Sequence, residues 1–365
     1  MNKDEIELVA AIRPEAPPYA DEARQAARRG LAAAAAPRAR GRNPLRNGPR
    51  WRGPYAMALA GALAVAVGAT AITLARAPGG GPSGDVEEVV VTMPKIVAVS
   101  ASEVLDRAAR AAVKKDLAPR DDQFVKVESE TMYGSFGFEA MNPETGEPDE
   151  ETRYLYRTRR AIWLSADGTR NGVLRIEHLE PRAYPGWPIP ETAYKEPGVE
   201  TMPLVNCGKT PEYMRTDHAA LRRLPTDADG MRAHLYTGDR GGNSKDEAAF
   251  TAAGDMLRET YMPPAQRAAL FKAVGTIPGV DVTERAEDAA GREGIGVGRV
   301  GLDGVRQDLI FDAKTYDLLG ERGIVVDEKA AKSPRGSLVA STAQLSVTVA
   351  DEAPEVEVGD ADRCG

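Results

Sequence analysis

The sequence predicts an α+β fold: an antiparallel sheet, either open or closed into a half-barrel, packed with helices and preceded by one transmembrane helix. Residues 55–75 carry no charged side chain. Strand-like alternation and tight-turn signals occur at 123–178 and again at 280–349. A block with helical spacing of apolar residues, 227–276, separates them. Strands, then helices, then strands is the order of an α+β domain rather than the strict alternation of a doubly wound sheet.

Residues 55–75 are predicted to span a membrane. Twenty-one residues at about 1.5 Å each match the roughly 30 Å hydrocarbon core of a bilayer. Nine of them are alanine, so insertion depends on the absence of charge and on the flanking residues. Nine arginines and no acid occupy 24–52, which places the N-terminus in the cytoplasm and the C-terminal part outside the cell membrane. Two alternatives remain open: a buried core helix, and a signal peptide cleaved near Ala75-Arg76-Ala77.

Charge divides the chain around this span. Residues 1–54 have a net charge of +5 and residues 77–365 a net charge of −14, within the total of −8. The first segment is basic and cannot build a core, so it is predicted to be a largely disordered cytoplasmic head. We further predict a linker at 76–98, an extracytoplasmic α+β domain at 99–350 and a disordered acidic tail at 351–365.

The domain is predicted element by element. A helix opens at Ser102 and a strand follows at 123–132. Asp167-Gly168 and Asp303-Gly304 are two-residue turn signals, and each predicts a hairpin. The Pro-rich stretch 181–211 has no periodicity and is predicted to be a long surface excursion. The remaining segments are predicted as helices at 227–235, 246–261 and 263–276, and as strands at 280–282, 294–300, 305–311, 316–326 and 338–349.

Two patterns that resemble cofactor or metal sites are interpreted otherwise. Residues 296–301 (GVGRVG) match a dinucleotide-binding fingerprint, but a turn and another strand follow where that site needs a helix. We interpret these glycines as strand residues that permit close backbone packing. His178, His218 and His234 are too scattered for a zinc pattern. No cofactor and no metal are therefore predicted.

The candidate catalytic residues are two nearby acids. Asp227 and Asp229 could work as an acid–base pair, yet Asp227 is better placed to cap a helix and Asp229 to occupy its first turn. The sequence contains no GxSxG and no Ser-x-x-Lys motif. No catalytic residue is predicted.

Cys207 and Cys364 are the only cysteines, and both lie on the side predicted to be extracytoplasmic, where disulfides persist. A bond between them is predicted as a possible state, with two free thiols as the alternative. It would close a loop of 157 residues, which the loop-entropy model values on the order of 4–5 kcal/mol.

Five sequence segments carry a resemblance to a known family, and they occur along the chain in this order: VLDRAARAA, IWLSADGTR, LRRLPTDADGMRAHL, AAGDMLRETYMPPAQRAALFKAVGTIPGV and QDLIFDAKTYDLLGER. With the basic head and the Ala-rich span, they resemble an uncharacterised actinobacterial family of single-pass membrane proteins known only by a locus-tag name. Because members are often encoded beside sigma factors, the resemblance implies a regulatory role. The resemblance to this family implies no catalytic residue, no cofactor and no ligand. The acidic segment 139–152 and the stretch 181–211 depart from the family.

The order of elements is also similar to the half-barrel domains of lipoprotein carriers and sigma regulators, which is a likeness of fold. The expected function is a membrane-anchored extracytoplasmic binding or sensor-like domain. The expected partners are the membrane and a cytoplasmic regulatory protein. The negative total charge argues against nucleic acid as a binding partner. The alternatives are a lipid or lipopeptide carrier, which needs a largely apolar cavity, and a hydrolase that uses carboxylates. The sequence leaves the oligomeric state open.

Overall fold

The computed structural model describes residues 93–138, 151–194, 198–208, 215–237 and 244–359. They form an α+β fold with one nine-stranded antiparallel sheet and several short helices. The predicted head and the predicted span 55–75 lie outside these residues. Among the helices within them, none is long and apolar enough to cross a membrane.

The sheet consists of two meanders that join where the first strand pairs with the last. Its strands are β1 Phe124–Phe138, β2 Glu151–Ser165, β3 Gly172–Ala183, β4 Val199–Leu204, β5 Asp281–Glu287, β6 Glu293–Val300, β7 Val305–Phe311, β8 Leu318–Val325 and β9 Leu338–Ala350. Their spatial order is β4-β3-β2-β1-β9-β8-β7-β6-β5. The helices are α1 Ala101–Ala112, α2 His218–Leu221, α3 Ala228–Leu235, α4 Lys245–Asp255, α5 Pro264–Val274 and α6 Glu328–Ala331, with a 3-10 turn at Glu191–Ala193.

The helices between β4 and β5, together with α1, pack on one face of the sheet, which we call the helical face. Over β5–β7 the contacting sheet residues are Val282, Val297, Leu309 and Phe311. Over β1–β3 a second apolar cluster forms around Tyr261, and it consists of Val125, Val127, Ile162 and Leu174. Burying these side chains stabilises the domain by about 1.5–3 kcal/mol for each large one. The two apolar clusters flank the middle of the helical face.

Most of the predicted elements are confirmed to within a few residues. The hairpins at Asp167-Gly168 and Asp303-Gly304 join β2 to β3 and β6 to β7, but the predicted two-residue turns are wrong, since residues 166–171 and 301–304 lie between the strands. The Asp227 carboxylate caps α3, accepting a hydrogen bond from the Gly230 N–H at 2.7 Å. Helix α1 begins one residue earlier than predicted, capped by Ser100. Helix α4 ends at Asp255, whereas the spacing predicted a helix to residue 261.

The prediction for the Pro-rich stretch 181–211 needs correction. It contains the end of β3 and the whole of β4, not only a surface excursion. Pro203 lies within β4 although proline has no N–H for a central ladder. Since β4 is the edge strand and pairs only with β3, the missing donor carries little cost.

The folded unit extends beyond the predicted limits of 99–350 at both ends. Ile96 forms an isolated bridge with Thr283, so part of the predicted linker covers the edge of β5. At the other end, residues 351–359 follow β9 across the face opposite the helices. There Ala353 and Val356 pack against a cluster of Phe124, Trp163 and Val173.

The glycine-rich run 296–301 lies in β6 and the turn after it, as the strand interpretation predicts. Gly298 is opposite Asp308 of β7 in the ladder. A Cβ at residue 298 would overlap the carbonyl oxygen of Gln307 and the Asp308 carboxylate. The glycine therefore makes room for a buried charged group.

Replacing Gly298 with Ala is expected to destabilise the domain by about 3 kcal/mol, at the upper end of the range for overpacking. Urea unfolding followed by tryptophan fluorescence measures this change. Gly137→Ala in β1 is the matched control, because the nearest atom to a Cβ there is 4.0 Å away. Equal stability of the two variants would contradict the packing argument.

Candidate functional site

A polar band crosses the middle of the helical face, between the two apolar clusters. In β1, the alternation that turns Val125 and Val127 toward the helices continues into polar side chains. The register aligns these with polar residues of β2 on one side and of β9 and β8 on the other. The polar band consists of Ser129, Thr131 and Tyr133 of β1, Tyr156, Thr158 and Arg160 of β2, Thr342 of β9 and Glu321 of β8.

The turn after α4 places two charged side chains on this band. Arg258 donates hydrogen bonds from Nη2 to Glu321 Oε2 at 2.5 Å and from Nη1 to Asp255 Oδ1 at 3.0 Å. Glu259 Oε1 accepts a hydrogen bond from Ser129 Oγ at 2.7 Å and lies 3.0 Å from Nε of Arg160. Arg258 thus forms an ion pair with a glutamate of β8, and the next residue, Glu259, forms one with an arginine of β2.

A cavity of about 320 Å³ lies between the polar band and α4. Its charged lining includes Arg160, Arg258, Glu259 and Glu321, and Phe250 of α4 contributes an apolar side chain. This volume is within the range of small-molecule sites, near its lower end. The cavity therefore has the size and the polar groups of a ligand site.

The charged groups of the cavity are compensated by contact partners. Burial alone would lower the pKa of Arg258, but the carboxylates of Glu321 and Asp255 and the nearby Tyr133 outweigh it, so the pKa is raised. Burial raises the pKa of Tyr133, and the Arg258 charge opposes this only in part. Arg258 is therefore a permanent cation and the Tyr133 hydroxyl a neutral donor at physiological pH.

Several polar atoms on the cavity wall have no hydrogen-bond partner within the part of the chain that the structure describes. Two of them are buried: Arg258 Nε, and Arg160 Nε, which lies 3.0 Å from Glu259 Oε1 without the geometry of a hydrogen bond. Among the described residues, Glu259 accepts a side-chain hydrogen bond only through Oε1 and Glu321 only through Oε2. The Tyr133 hydroxyl and the Gln307 amide also line the cavity. Because unpaired polar groups cost about 1–3 kcal/mol each when cut off from water, these atoms favour a hydrogen-bonding occupant.

Glu259 has a backbone conformation that is rare for its residue type. Its φ is +52°, a left-handed conformation that costs roughly 1–2 kcal/mol for a side chain with a Cβ. The residue is only 5% exposed. Strained positions of this kind concentrate at functional sites, where the surrounding contacts hold them. Here the contacts are those with Ser129 and Arg160.

Replacing Glu259 with Gln is expected to lower the free energy of unfolding by about 3 kcal/mol, since Arg160 then keeps a buried charge without its partner. Arg160 is 14% accessible, which favours the lower end of the range for broken buried pairs. Urea unfolding of Glu259→Gln, Arg160→Met and the double variant measures the pair in a cycle. The double variant should be less destabilised than the two single changes added together, and strict additivity would refute the pairing.

The residues singled out from the sequence lie away from this cavity. His178 is in β3, His218 in α2 and His234 in α3, and within the described ranges no group of His, Cys, Asp or Glu is arranged to hold a metal ion. Asp227 and Asp229 belong to the start of α3.

Cys207, which follows β4, is disulfide-bonded. Cys364 lies outside the described residues, so the pairing of the two cysteines stays a prediction.

The charged residues of the cavity were not predicted, although β2 contained a signal for one of them. Counting back in steps of two from Leu164 through Ile162 places Arg160 on the same, buried face of the strand. An arginine in phase with core residues needs a buried partner. The partner, Glu259, was not recognisable because residues 246–261 look helical throughout.

No protein-family model and no curated protein sequence matches this chain.

Proposed function

We propose that this chain is a single-pass membrane protein whose C-terminal domain lies outside the cell membrane and binds a small polar molecule. The observation that carries the proposal is the cavity beneath α4, with its ion pairs and its unpartnered donors and acceptors. A binding domain that is anchored to the membrane suits a sensor-like role.

The proposed half-barrel form of the sheet is supported by the tip of the β5–β6 hairpin. There Arg292 donates hydrogen bonds to the carbonyl oxygens of Leu319 in β8 and Gln344 in β9, each at 2.9 Å, so the sheet curves enough to bring this tip to the two strands.

The proposed topology is supported by two features. The uncharged residues 55–75 follow a segment with nine arginines, which favours a cytoplasmic N-terminus. The disulfide at Cys207 belongs to oxidising compartments outside the cytoplasm. Protease added to spheroplasts should remove a tag at the C-terminus and spare a tag at the N-terminus. The reverse pattern would contradict the proposed orientation.

The cavity supports a polar ligand over the acyl chain of a lipid carrier. An acyl chain beside Arg160 and Glu321 would cover their unpartnered atoms with groups that cannot form hydrogen bonds. The larger apolar surfaces of the helical face are already packed against helices. The hydrolase alternative has less support, because Glu259 and Glu321 are both ion-paired to arginines rather than held as opposed carboxylates.

Copurification tests the binding function. The full-length chain, extracted with mild detergent from its native host, should carry a small molecule detectable by native mass spectrometry. Ala340 lines the cavity, and Ala340→Phe should fill it and remove that molecule. Thr348→Phe is the matched control, since Thr348 is exposed on the opposite face of the same strand. Equal loads of the same molecule in both variants would place binding elsewhere.

A regulatory role requires that the head, residues 1–54, contact a cytoplasmic protein. This segment contains no Cys and no His, so a zinc-type anti-sigma domain is excluded there, and the partner would be held by residues that order on binding. Crosslinking mass spectrometry in the native host should recover a protein attached to the head. Recovery of only ribosomal and chaperone background would count against signalling.

A further inference from the structure

We infer that the ligand of the cavity is a neutral molecule rich in hydroxyl groups, of the size of a single sugar ring. The inference rests on the proposed binding function and specifies its chemistry. It follows from three properties of the cavity: the balance of its charges, the pairing of free donors with free acceptors, and its aromatic wall.

The charges of the cavity are already matched by contact. Arg160 faces Glu259, and Arg258 is held between Glu321 and Asp255. A ligand with a net charge would have to displace one of these partners or bring an uncompensated charge into a largely buried site, and either is costly. A neutral ligand leaves every ion pair in place.

The free atoms of the wall combine both hydrogen-bonding roles at short range. Acceptors are the second carboxylate oxygens of Glu259 and Glu321, and donors are the N–H groups of the Arg160 guanidinium, whose Nε is buried without a hydrogen bond. A hydroxyl group donates one hydrogen bond and accepts others, so neighbouring hydroxyls can satisfy a carboxylate and a guanidinium together. A ligand with acceptors alone, such as an inorganic anion, would leave the carboxylate oxygens unpaired.

Aromatic side chains form part of the wall beside these groups. The rings of Tyr133 and Tyr156 lie on paired strands with centroids 5.9 Å apart, and Phe250 lines the cavity from α4. A sugar ring has an apolar face of C–H groups that packs on such rings, while its hydroxyls reach outward. The volume of about 320 Å³ is near the lower end of the range for small-molecule sites, which suits one ring with its hydroxyls.

Calorimetric titration of the full-length chain in detergent tests the ligand class. The probes are glucose, galactose, mannose and myo-inositol as neutral polyols, glycine betaine as a zwitterion, phosphate and glutamate as anions, and decanoate as an acyl chain. We expect at least one polyol to bind and the other classes not to bind.

Two variants assign that binding to the cavity. Tyr133→Phe removes a hydroxyl that has no partner among the described residues, so the fold loses no hydrogen bond. Arg160→Lys keeps a positive charge for Glu259 but loses the guanidinium fork. Each should weaken polyol binding tenfold or more. Arg159→Lys is the control, because Arg159 neighbours Arg160 in β2 but is 52% exposed beside Glu130 on the other face.

The possible outcomes separate this inference from the proposed function. Binding of a zwitterion, an anion or decanoate, lost in Tyr133→Phe and Arg160→Lys, would overturn the polyol inference while the cavity remains a binding site. Polyol binding of equal strength in all variants would also overturn it. If no probe binds, the polyol inference is overturned, and the copurification with Ala340→Phe separately decides whether the cavity binds any molecule.

Discussion

Replacing Asp308 with Asn is expected to lower the free energy of unfolding by about 3–5 kcal/mol. Asp308 is 1% exposed. Its Oδ1 accepts a hydrogen bond from Arg306 Nε at 2.8 Å and its Oδ2 one from Arg322 Nε at 3.0 Å. Both arginine side chains are at most 5% exposed. Without the carboxylate, Arg306 would keep only Asp281, which is 39% exposed, and Arg322 would keep no ion-pair partner among the described residues.

Thermal unfolding of the full-length variant measures this effect. For a domain of this size the loss corresponds to a decrease in Tm of about 10 °C. Glu284→Gln in β5 is the control, since its ion pair with Lys95 is exposed on both sides and should change stability by less than about 1 kcal/mol.

A triple variant separates charge from volume. Arg306→Met, Asp308→Asn and Arg322→Met together remove the three buried charges of this cluster, leaving only the partly exposed Asp281, while keeping long side chains at the two arginine positions. This variant should recover at least half of the stability lost in Asp308→Asn, because buried ion pairs are often replaceable by apolar groups. If Asp308→Asn is as stable as the parent chain, the cluster has no energetic role.

The fold was predictable where local chemistry determines it. The Asp-Gly signals located both hairpins, because Gly168 and Gly304 adopt φ values of +70° and +77° that favour glycine, although the loops, 166–171 and 301–304, are longer than the predicted two residues. Asp227 was predictable as a cap for a similarly local reason. The joining of the two meanders through β1 and β9 was not predictable, since it pairs segments more than 200 residues apart.

The cavity was less predictable than the fold because its partners come from distant segments. Arg160 and Glu259 are about 100 residues apart, and neither has a local pattern that identifies the other. The left-handed backbone at Glu259 is imposed by tertiary contacts, since glutamate has no preference for it. Charged residues inside a predicted helix and a predicted strand therefore looked like ordinary surface positions.

Opening the disulfide at Cys207 is expected to lower the free energy of unfolding by about 4–5 kcal/mol. The predicted partner is Cys364, the only other cysteine of the chain. The path of the tail agrees with this prediction, because its described part already crosses from β9 toward the strands beside β4. There Asp351 accepts a hydrogen bond from Gln123 Nε2 at 2.8 Å, and Val356 packs on the cluster that includes Trp163.

Urea unfolding of Cys207→Ser, Cys364→Ser and the double variant measures the bond and identifies its partner together. If the two cysteines pair, each single variant loses the same free energy, and the double variant loses no more than either one. The parent chain with reductant should match all three, and Trp163 fluorescence should report release of the tail. A large loss in Cys207→Ser with none in Cys364→Ser would show that Cys207 bonds to a cysteine of another molecule. In that case the closed loop, and with it the entropic source of the stabilisation, would not exist within one chain.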